Sequence, residues 1–161
     1  MRFECESNPG RTPRFRPPME GCVARDRRLA NAVKICYVDT FASIAANIYR
    51  SLVSLSRDRR AADLFDSIAE EELEHFRLLG ELILALGGDA VLRGSRGTCV
   101  GGKAEGDAGE FLADECDVRQ RNIDRYETLM GRTGDRVVRS VLAKLLSSER
   151  RILERCEQFN G

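Results

Sequence analysis

Residues 64–90 read LFDSIAEEELEHFRLLGELILALGGDA. Apolar residues recur in this segment every three or four positions, which is the period of one face of an α-helix. The pair Gly87-Gly88 closes the pattern, as glycine does at the end of many helices. The residues of the stripe are Leu64, Ile68, Glu72, His75, Leu79, Leu82 and Leu86. The segment therefore predicts a helix that turns a carboxylate and an imidazole toward the protein interior.

Three further segments show the same period, and no segment alternates with a period of two over a useful length. The four predicted helices cover about 26–56, 59–86, 109–131 and 135–158. Residues 1–24 read as a basic, proline-containing tail, and residues 87–108 as a glycine-rich loop. Short links join antiparallel helices, whereas a long middle link can cross a bundle from end to end. We therefore predict an all-α fold over residues 25–160, a four-helix bundle with a long crossover between the second and third helices, which is the ferritin-like topology.

The charge balance argues against one class of function. The chain of 161 residues has 26 basic and 26 acidic side chains, whereas a dedicated nucleic-acid-binding protein needs a basic excess. No uninterrupted apolar run approaches the roughly 18 residues of a membrane span. The N-terminus lacks the apolar core of a signal peptide. We therefore expect a cytoplasmic protein that binds neither nucleic acid nor membrane.

Six cysteines and a single histidine limit the possible metal sites. No two cysteines have the C-x-x-C spacing of a zinc ribbon, and one histidine cannot supply a histidine-rich site. Glu72 and His75 can supply half of a di-iron carboxylate site, because such sites take a Glu-x-x-His from each of two helices and a glutamate from each of two others. A charged helix also produces this spacing by chance, so a solvated glutamate beside a hydrogen-bonded histidine is the alternative.

The sequence around Glu72 and His75 resembles that of a known family. Residues 64–90 are similar to the second helix of rubrerythrin-like and bacterioferritin-like di-iron carboxylate proteins of the ferritin-like superfamily, especially a clostridial branch. NIYRSLV, residues 47–53, resembles the end of the first helix in that family, and the resemblance extends over about residues 26–158. It implies a ferritin-like bundle and, where the metal centre is intact, oxidoreductase, ferroxidase or peroxidase activity.

The family pattern has six protein ligands, and three of them are retained in this sequence. The retained ligands are Glu72, His75 and Glu149. The positions at which the resemblance places the other ligands are occupied by Thr40, Arg119 and Ile152. We therefore predict a degenerate di-iron centre that holds no cofactor.

Arg119 indicates what replaces the metal ions. A guanidinium has a permanent charge and five donors, so we expect it to lie between Glu72 and Glu149, with Thr40 accepting a further hydrogen bond. Alternatively, Arg119 turns toward solvent. The three retained ligands would then be free to form a mononuclear site for iron or manganese, open to water or peroxide.

Two function classes follow from these readings. The leading hypothesis is a structural or partner-binding protein rather than an enzyme, forming a homo-oligomer through helix faces or binding an unknown protein. The alternative is a rubrerythrin-like metal-binding protein or oxidoreductase that uses Glu72, His75 and Glu149. Glu115 could be a substitute ligand one turn from Arg119, although an adjacent arginine repels a cation.

Overall fold

The computed structural model describes residues 19, 21–92 and 106–160. Its four helices are α1 (Arg27–Ser54), α2 (Arg59–Ala85), α3 (Ala108–Gly131) and α4 (Arg136–Asn160). Within the described ranges there is no β-strand. The all-α, four-helix architecture predicted from the sequence is confirmed. Residues 1–18 and 20 of the predicted tail and residues 93–105 of the predicted crossover lie outside the described residues.

An aspartate precedes each helix and caps its first turn. The carboxylates of Asp26, Asp58, Asp107 and Asp135 accept hydrogen bonds from backbone N–H groups three residues further on, at 2.9–3.2 Å. The first N–H groups of a helix have no partner within the helix, and replacing such a cap with alanine costs about 1 kcal/mol. These caps fix where each helix begins.

Glycine fixes the end of α2. Gly87 has a φ of 80°, in the left-handed region that other residues rarely adopt. Its neighbour Gly88 donates to the Ile83 carbonyl at 2.9 Å, as in a Schellman motif. A Cβ at Gly88 would lie 2.8 Å from the Ala30 side chain, so α1 and α2 are packed too closely there for any larger residue.

The bundle core has two apolar ends and a polar middle level. The helices pack mainly as two pairs, α1 with α2 and α3 with α4. One apolar cluster includes Leu79, Leu82, Tyr126, Leu142 and Leu145, and the other includes Phe65, Ile68, Phe111, Leu112 and Ile152. Along α2, Glu72 and His75 fall between the residues of these clusters. The polar residues predicted to face inward therefore meet halfway along the bundle.

The outer surface of α1 is unusually apolar. By length and composition, α1 could cross a membrane, although its inner face packs into the bundle and less than half of its most apolar segment is buried. From the sequence we expected no segment that could cross a membrane, and by length and composition that expectation was wrong. It rested on finding no uninterrupted apolar run, whereas α1 mixes large apolar residues with small uncharged ones.

Candidate functional site

The polar level is built from helical spacing on all four helices. On α2, Glu72 and His75 are 0% and 3% exposed and lie one turn from the fully buried Ile68 and Leu79. On α4, Glu149 is also fully buried. The buried polar residues of α1 include Thr40, Ser43, Asn47 and Arg50, and those of α3 are Glu115, Arg119 and Asn122. Each set follows a spacing of three or four, so each helix turns one polar stripe into the bundle.

The Arg119 guanidinium lies at the centre of this level and has no exposed surface. Its Nη1 donates to Glu149 Oε2 at 3.0 Å and also to Glu72 Oε1. Its Nη2 donates to Ser43 Oγ at 2.7 Å and lies 2.8 Å from Glu115 Oε1. One side chain thus contacts polar groups from all four helices. Of the two orientations considered for Arg119, the structure has the inward one.

Thr40 does not take the position expected for it. It is buried, but the hydroxyl that accepts from Arg119 belongs to Ser43, three residues further along the same face of α1. The Thr40 hydroxyl lies instead beside that of Tyr126, whose pKa is raised well above its ordinary value by burial. The expected partner was therefore displaced by about one helical turn, because the axial register of α1 against α3 cannot be read from either sequence alone.

A second buried arginine, Arg50, was missed by the sequence analysis. It is 4% exposed, and its guanidinium donates to Glu115 Oε2 at 2.5 Å and to Asp114. Asn47 donates to the other oxygen of Glu115 at 3.3 Å. The 3-4-3 spacing of Thr40, Ser43, Asn47 and Arg50 was the available signal. This spacing extends the buried stripe of α1 to Arg50, which the sequence analysis includes only as part of the motif NIYRSLV.

These contacts decide the role of Glu115. The side chain is 1% exposed, and each of its two oxygen atoms already contacts a guanidinium, Oε2 that of Arg50 and Oε1 that of Arg119. Burial raises its pKa from 4.5 to about 7, although Arg50 and Asn47 oppose that shift. At neutral pH, the Glu115 carboxyl is therefore protonated in a substantial fraction of the molecules.

The pKa of Glu149 is shifted in the opposite direction to that of Glu115. Burial alone would raise its pKa, but the neighbouring Arg119 and His75 hold the pKa of this carboxyl below its ordinary value. Asn122 also donates to it at 3.4 Å. Glu149 is therefore ionised at neutral pH and pairs with the central guanidinium.

The comparison with protein families agrees with this architecture. Residues 41–160 match the ferritin-like domain family, which is more than half of the chain. The chain belongs to the ferritin-like family. A comparison with curated proteins finds no match. The family assignment confirms the ferritin-like superfamily predicted from the α2 segment, but it does not test the narrower rubrerythrin-like or bacterioferritin-like assignment.

The ferritin-like fold implies a metal centre, and the residues present fit one only in part. Glu72, His75 and Glu149 offer ligand atoms that all lie within 4.8 Å of one another. His75 Nδ1 is 3.3 Å from Glu149 Oε1 and 3.7 Å from Glu72 Oε1. Ile152, at the expected fourth-helix histidine position, is fully buried in an apolar cluster and offers no ligand atom. This level therefore offers three of the six side chains of the family pattern, and the guanidinium of Arg119 contacts both of its carboxylates.

The seam between α2 and α4 leads toward His75. A cavity of 130 Å³ is lined there by His75, Glu74, Lys144, Ser148 and other residues of the two helices. Ion pairs cross its mouth, with Lys144 Nζ 3.4 Å from Glu74 Oε1. The imidazole of His75 therefore forms part of the wall of this cavity.

Proposed function

We propose that this ferritin-like protein belongs to the rubrerythrin-like branch, that a buried ion-pair network has replaced its di-iron centre, and that it acts as a structural or partner-binding protein rather than an enzyme. The observation that carries the proposal is the position of Arg119. Its fully buried guanidinium donates to Glu72 and Glu149, two of the three retained ligands.

Charge accounting supports this replacement. Three fully buried carboxylates, Glu72, Glu115 and Glu149, face two buried guanidiniums, Arg50 and Arg119. Buried carboxylates repel one another and resist ionisation unless cations neutralise them. In a di-iron protein the metal ions supply those charges, whereas here the guanidiniums supply two. The one remaining negative charge is removed when Glu115, with its raised pKa of about 7, holds a proton.

Geometry explains why the guanidinium opposes metal binding. A metal ion bound by Glu72 and Glu149 would coordinate the same two carboxylates whose oxygen atoms, Glu72 Oε1 and Glu149 Oε2, accept from Arg119 Nη1. It would also lie beside a permanent positive charge that has no path to solvent, since Arg119 is fully buried. The ion would therefore bind more weakly, because Arg119 competes for the carboxylates and because like charges repel each other.

Elemental analysis of protein purified without chelators tests the proposal. We expect well under one iron or manganese per chain and no optical change on addition of peroxide. Two tightly bound metal ions per chain would contradict it.

Restoring the missing ligands tests the assignment of ligand positions. The triple variant Thr40→Glu, Arg119→Glu and Ile152→His should bind two divalent ions, because it removes the guanidinium and completes the six-ligand set. The matched control keeps the other two substitutions but replaces the exposed Arg121 instead of Arg119. It should bind no more metal than the wild type, and equal binding by both variants would contradict the role of Arg119.

A second candidate function has a specific observation in its favour. Glu72 Oε2 and His75 Nδ1 have no hydrogen-bond partner among the described residues, although both are buried. With Glu149 they form a set of two carboxylates and one imidazole, which suits a mononuclear iron or manganese ion that can activate peroxide. Calorimetric titration with Mn²⁺ tests it. One site per chain that is lost in His75→Gln but kept in the exposed-site control Glu70→Gln would favour this function.

A further inference from the structure

Two cysteine thiols meet between α3 and α4. Cys156 of α4 is fully buried, whereas Cys116 of α3 is half-buried and can be reached from solvent. The Cys156 thiol donates a hydrogen bond to the sulfur of Cys116, so the two sulfur atoms are in direct contact. Together they form the α3–α4 thiol pair, which belongs neither to the polar level nor to the retained ligand set.

The packing of the two helices independently places these thiols opposite each other. Asn122 of α3 donates to Glu149 of α4 at 3.4 Å, which fixes the antiparallel register of the two helices. Cys116 lies six residues before Asn122, and Cys156 lies seven residues after Glu149. At 1.5 Å per residue, both cysteines are therefore about 9–10 Å further along the bundle. Both pack in the apolar cluster that contains Ile152. The helix backbones, and not only the side-chain rotamers, bring the two thiols together.

The α3–α4 thiol pair suits a covalent bond better than a metal ion. Two thiolates supply half of the four ligands of a tetrahedral zinc site. The one histidine of the chain, His75, belongs to the polar level on α2, and the nearby Glu115 already contacts two guanidiniums. A disulfide needs only two thiols on backbones that approach closely. Two thiols in contact on neighbouring helices meet that requirement.

We propose that a hydroperoxide converts the α3–α4 thiol pair into a disulfide between Cys116 and Cys156. This redox-sensitive bond goes beyond the proposed structural role and does not depend on it. A short turn joins α3 to α4 after Gly131, whereas Cys116 and Cys156 lie near the opposite ends of these helices. The disulfide therefore closes the α3–α4 hairpin at its open end and constrains it covalently.

The reaction consumes one peroxide molecule in two steps. Cys116 reacts first, because it is the exposed member and the hydrogen bond from Cys156 stabilises its thiolate. Its sulfur loses a proton to solvent and attacks one oxygen of hydrogen peroxide. The O–O bond breaks, the hydroxide that leaves takes up a proton to form water, and Cys116 becomes a sulfenic acid. The Cys156 sulfur then attacks the sulfenic sulfur, the S–O bond breaks, and a second water leaves with the Cys156 proton. Two electrons thus pass from the thiols to the peroxide.

Burial controls both the rate and the product of this reaction. It raises the pKa of both thiols, that of Cys156 to about 12. Because the thiolate is the nucleophile, the disulfide forms slowly, over minutes to hours. Cys156 lies directly beside the sulfenic acid, and this proximity lets it react before a second peroxide molecule does. The product is therefore a disulfide and not a sulfinic acid, which would be irreversible.

Mass spectrometry of the full-length chain tests the proposal. Trypsin places the two cysteines in separate peptides, 104–119 and 156–161, each with a single cysteine. After the folded chain is treated with hydrogen peroxide and its remaining thiols are alkylated, these peptides should appear joined and lighter by two hydrogen atoms. Dithiothreitol should separate them. Peptides that stay unlinked, or that link to another cysteine instead, would overturn the proposal.

Two cysteine variants separate the roles of the thiols. In Cys156→Ser the sulfenic acid has no partner, so Cys116 should gain two oxygen atoms and become a sulfinic acid. The matched control is Cys36→Ser, at a thiol that is 4% exposed in the other apolar cluster, and it should still form the disulfide. Sulfinic acid at Cys116 of the wild-type chain, with Cys156 still reduced, would show that the second thiol cannot reach the first and would overturn the proposal.

Thermal melting measures what the bond does to the hairpin. The disulfide closes a loop over residues 116–156, and we expect it to raise the Tm by roughly 4–16 °C relative to the reduced chain. Cys116→Ser, treated with peroxide in the same way, should show no such rise. An unchanged Tm in the oxidised wild type, or an equal rise in Cys116→Ser, would contradict the covalent constraint.

Discussion

The ends and the middle of this bundle core are stabilised by different forces. At the ends, fully buried side chains such as Leu82 and Leu142 contact other apolar groups, and burial is favourable in itself. In the middle, Arg119 and the carboxylates around it are equally buried, but each would be strongly unfavourable alone. Loss of a side chain at the ends leaves a cavity, whereas loss of one charge in the middle leaves its buried partners unpaired. Substitutions that remove one member should make this difference measurable.

The largest effect is expected from Arg119→Met. The substitution keeps much of the volume and the helix propensity but leaves Glu72 and Glu149 without their common cation. Removing one partner of a buried ion pair costs about 3–5 kcal/mol of unfolding free energy. In a domain of this size, that corresponds to a fall in Tm of roughly 6–20 °C by thermal melting at neutral pH.

Two further variants show whether the loss of stability in Arg119→Met comes from unpaired buried charge. Arg121→Met, at an exposed position on the same helix, should change the unfolding free energy by less than about 0.5 kcal/mol. Adding Glu72→Gln and Glu149→Gln to Arg119→Met should recover much of the loss, because no unpaired buried charge remains. A silent Arg119→Met would mean that the guanidinium is not the cation of the core.

A comparable but chemically different loss is expected at an apolar end. Leu142→Ala removes part of a fully buried side chain and leaves a cavity, which costs about 2–5 kcal/mol. Chemical denaturation measures this loss. It should add to that of Glu115→Gln within about 0.5 kcal/mol if the end and the middle are independent. A large deviation from additivity would show that the apolar and polar levels are coupled.

A smaller effect is expected from Arg50→Lys. The substitution keeps the charge but loses the planar fork that donates to both Asp114 and Glu115. Loss of one hydrogen bond to a charged group costs about 1.5–3 kcal/mol. Asp114 is half exposed and can regain water, so the cost should lie near the lower value. Urea unfolding of the variant checks this, and a loss as large as that of Arg119→Met would show that Arg50 is equally central.

The final effect concerns pH. Because the folded-state pKa of Glu115 is raised from 4.5 to about 7, the stability contributed by its bound proton is complete below pH 4.5. This contribution is lost as the pH rises through 7, by at most about 1.4 kcal/mol per pH unit. The unfolding free energy should therefore fall between about pH 4.5 and pH 7 in the wild type and less steeply in Glu115→Gln. Parallel curves for the two proteins would contradict the raised pKa.

The sequence predicted the helices better than it predicted the contacts between them. Helical periodicity and aspartate caps are local signals, so the four helices and the inward face of α2 could be read directly. On α3, hydrophobicity alone favours burial of Cys116, whereas the structure buries its neighbour Glu115 and leaves Cys116 half-buried. Burial of Glu115 depends on Arg50, which lies 65 residues earlier in the chain. Only the tertiary structure brings those two residues together.

The polar level also constrains how the chain folds. The contacts of Arg119 reach Ser43, 76 positions earlier, Glu72, 47 positions earlier, and Glu149, 30 positions later. When α1 and α2, or α3 and α4, pack as a pair without the other two helices, the charged side chains of that pair must remain in water. The charges lose their hydration only when the two helical pairs dock, and at that moment all the partners must arrive in register. Docking of the two hairpins is therefore the step at which a wrong axial alignment is rejected, because any shift by one turn leaves a desolvated charge without its partner.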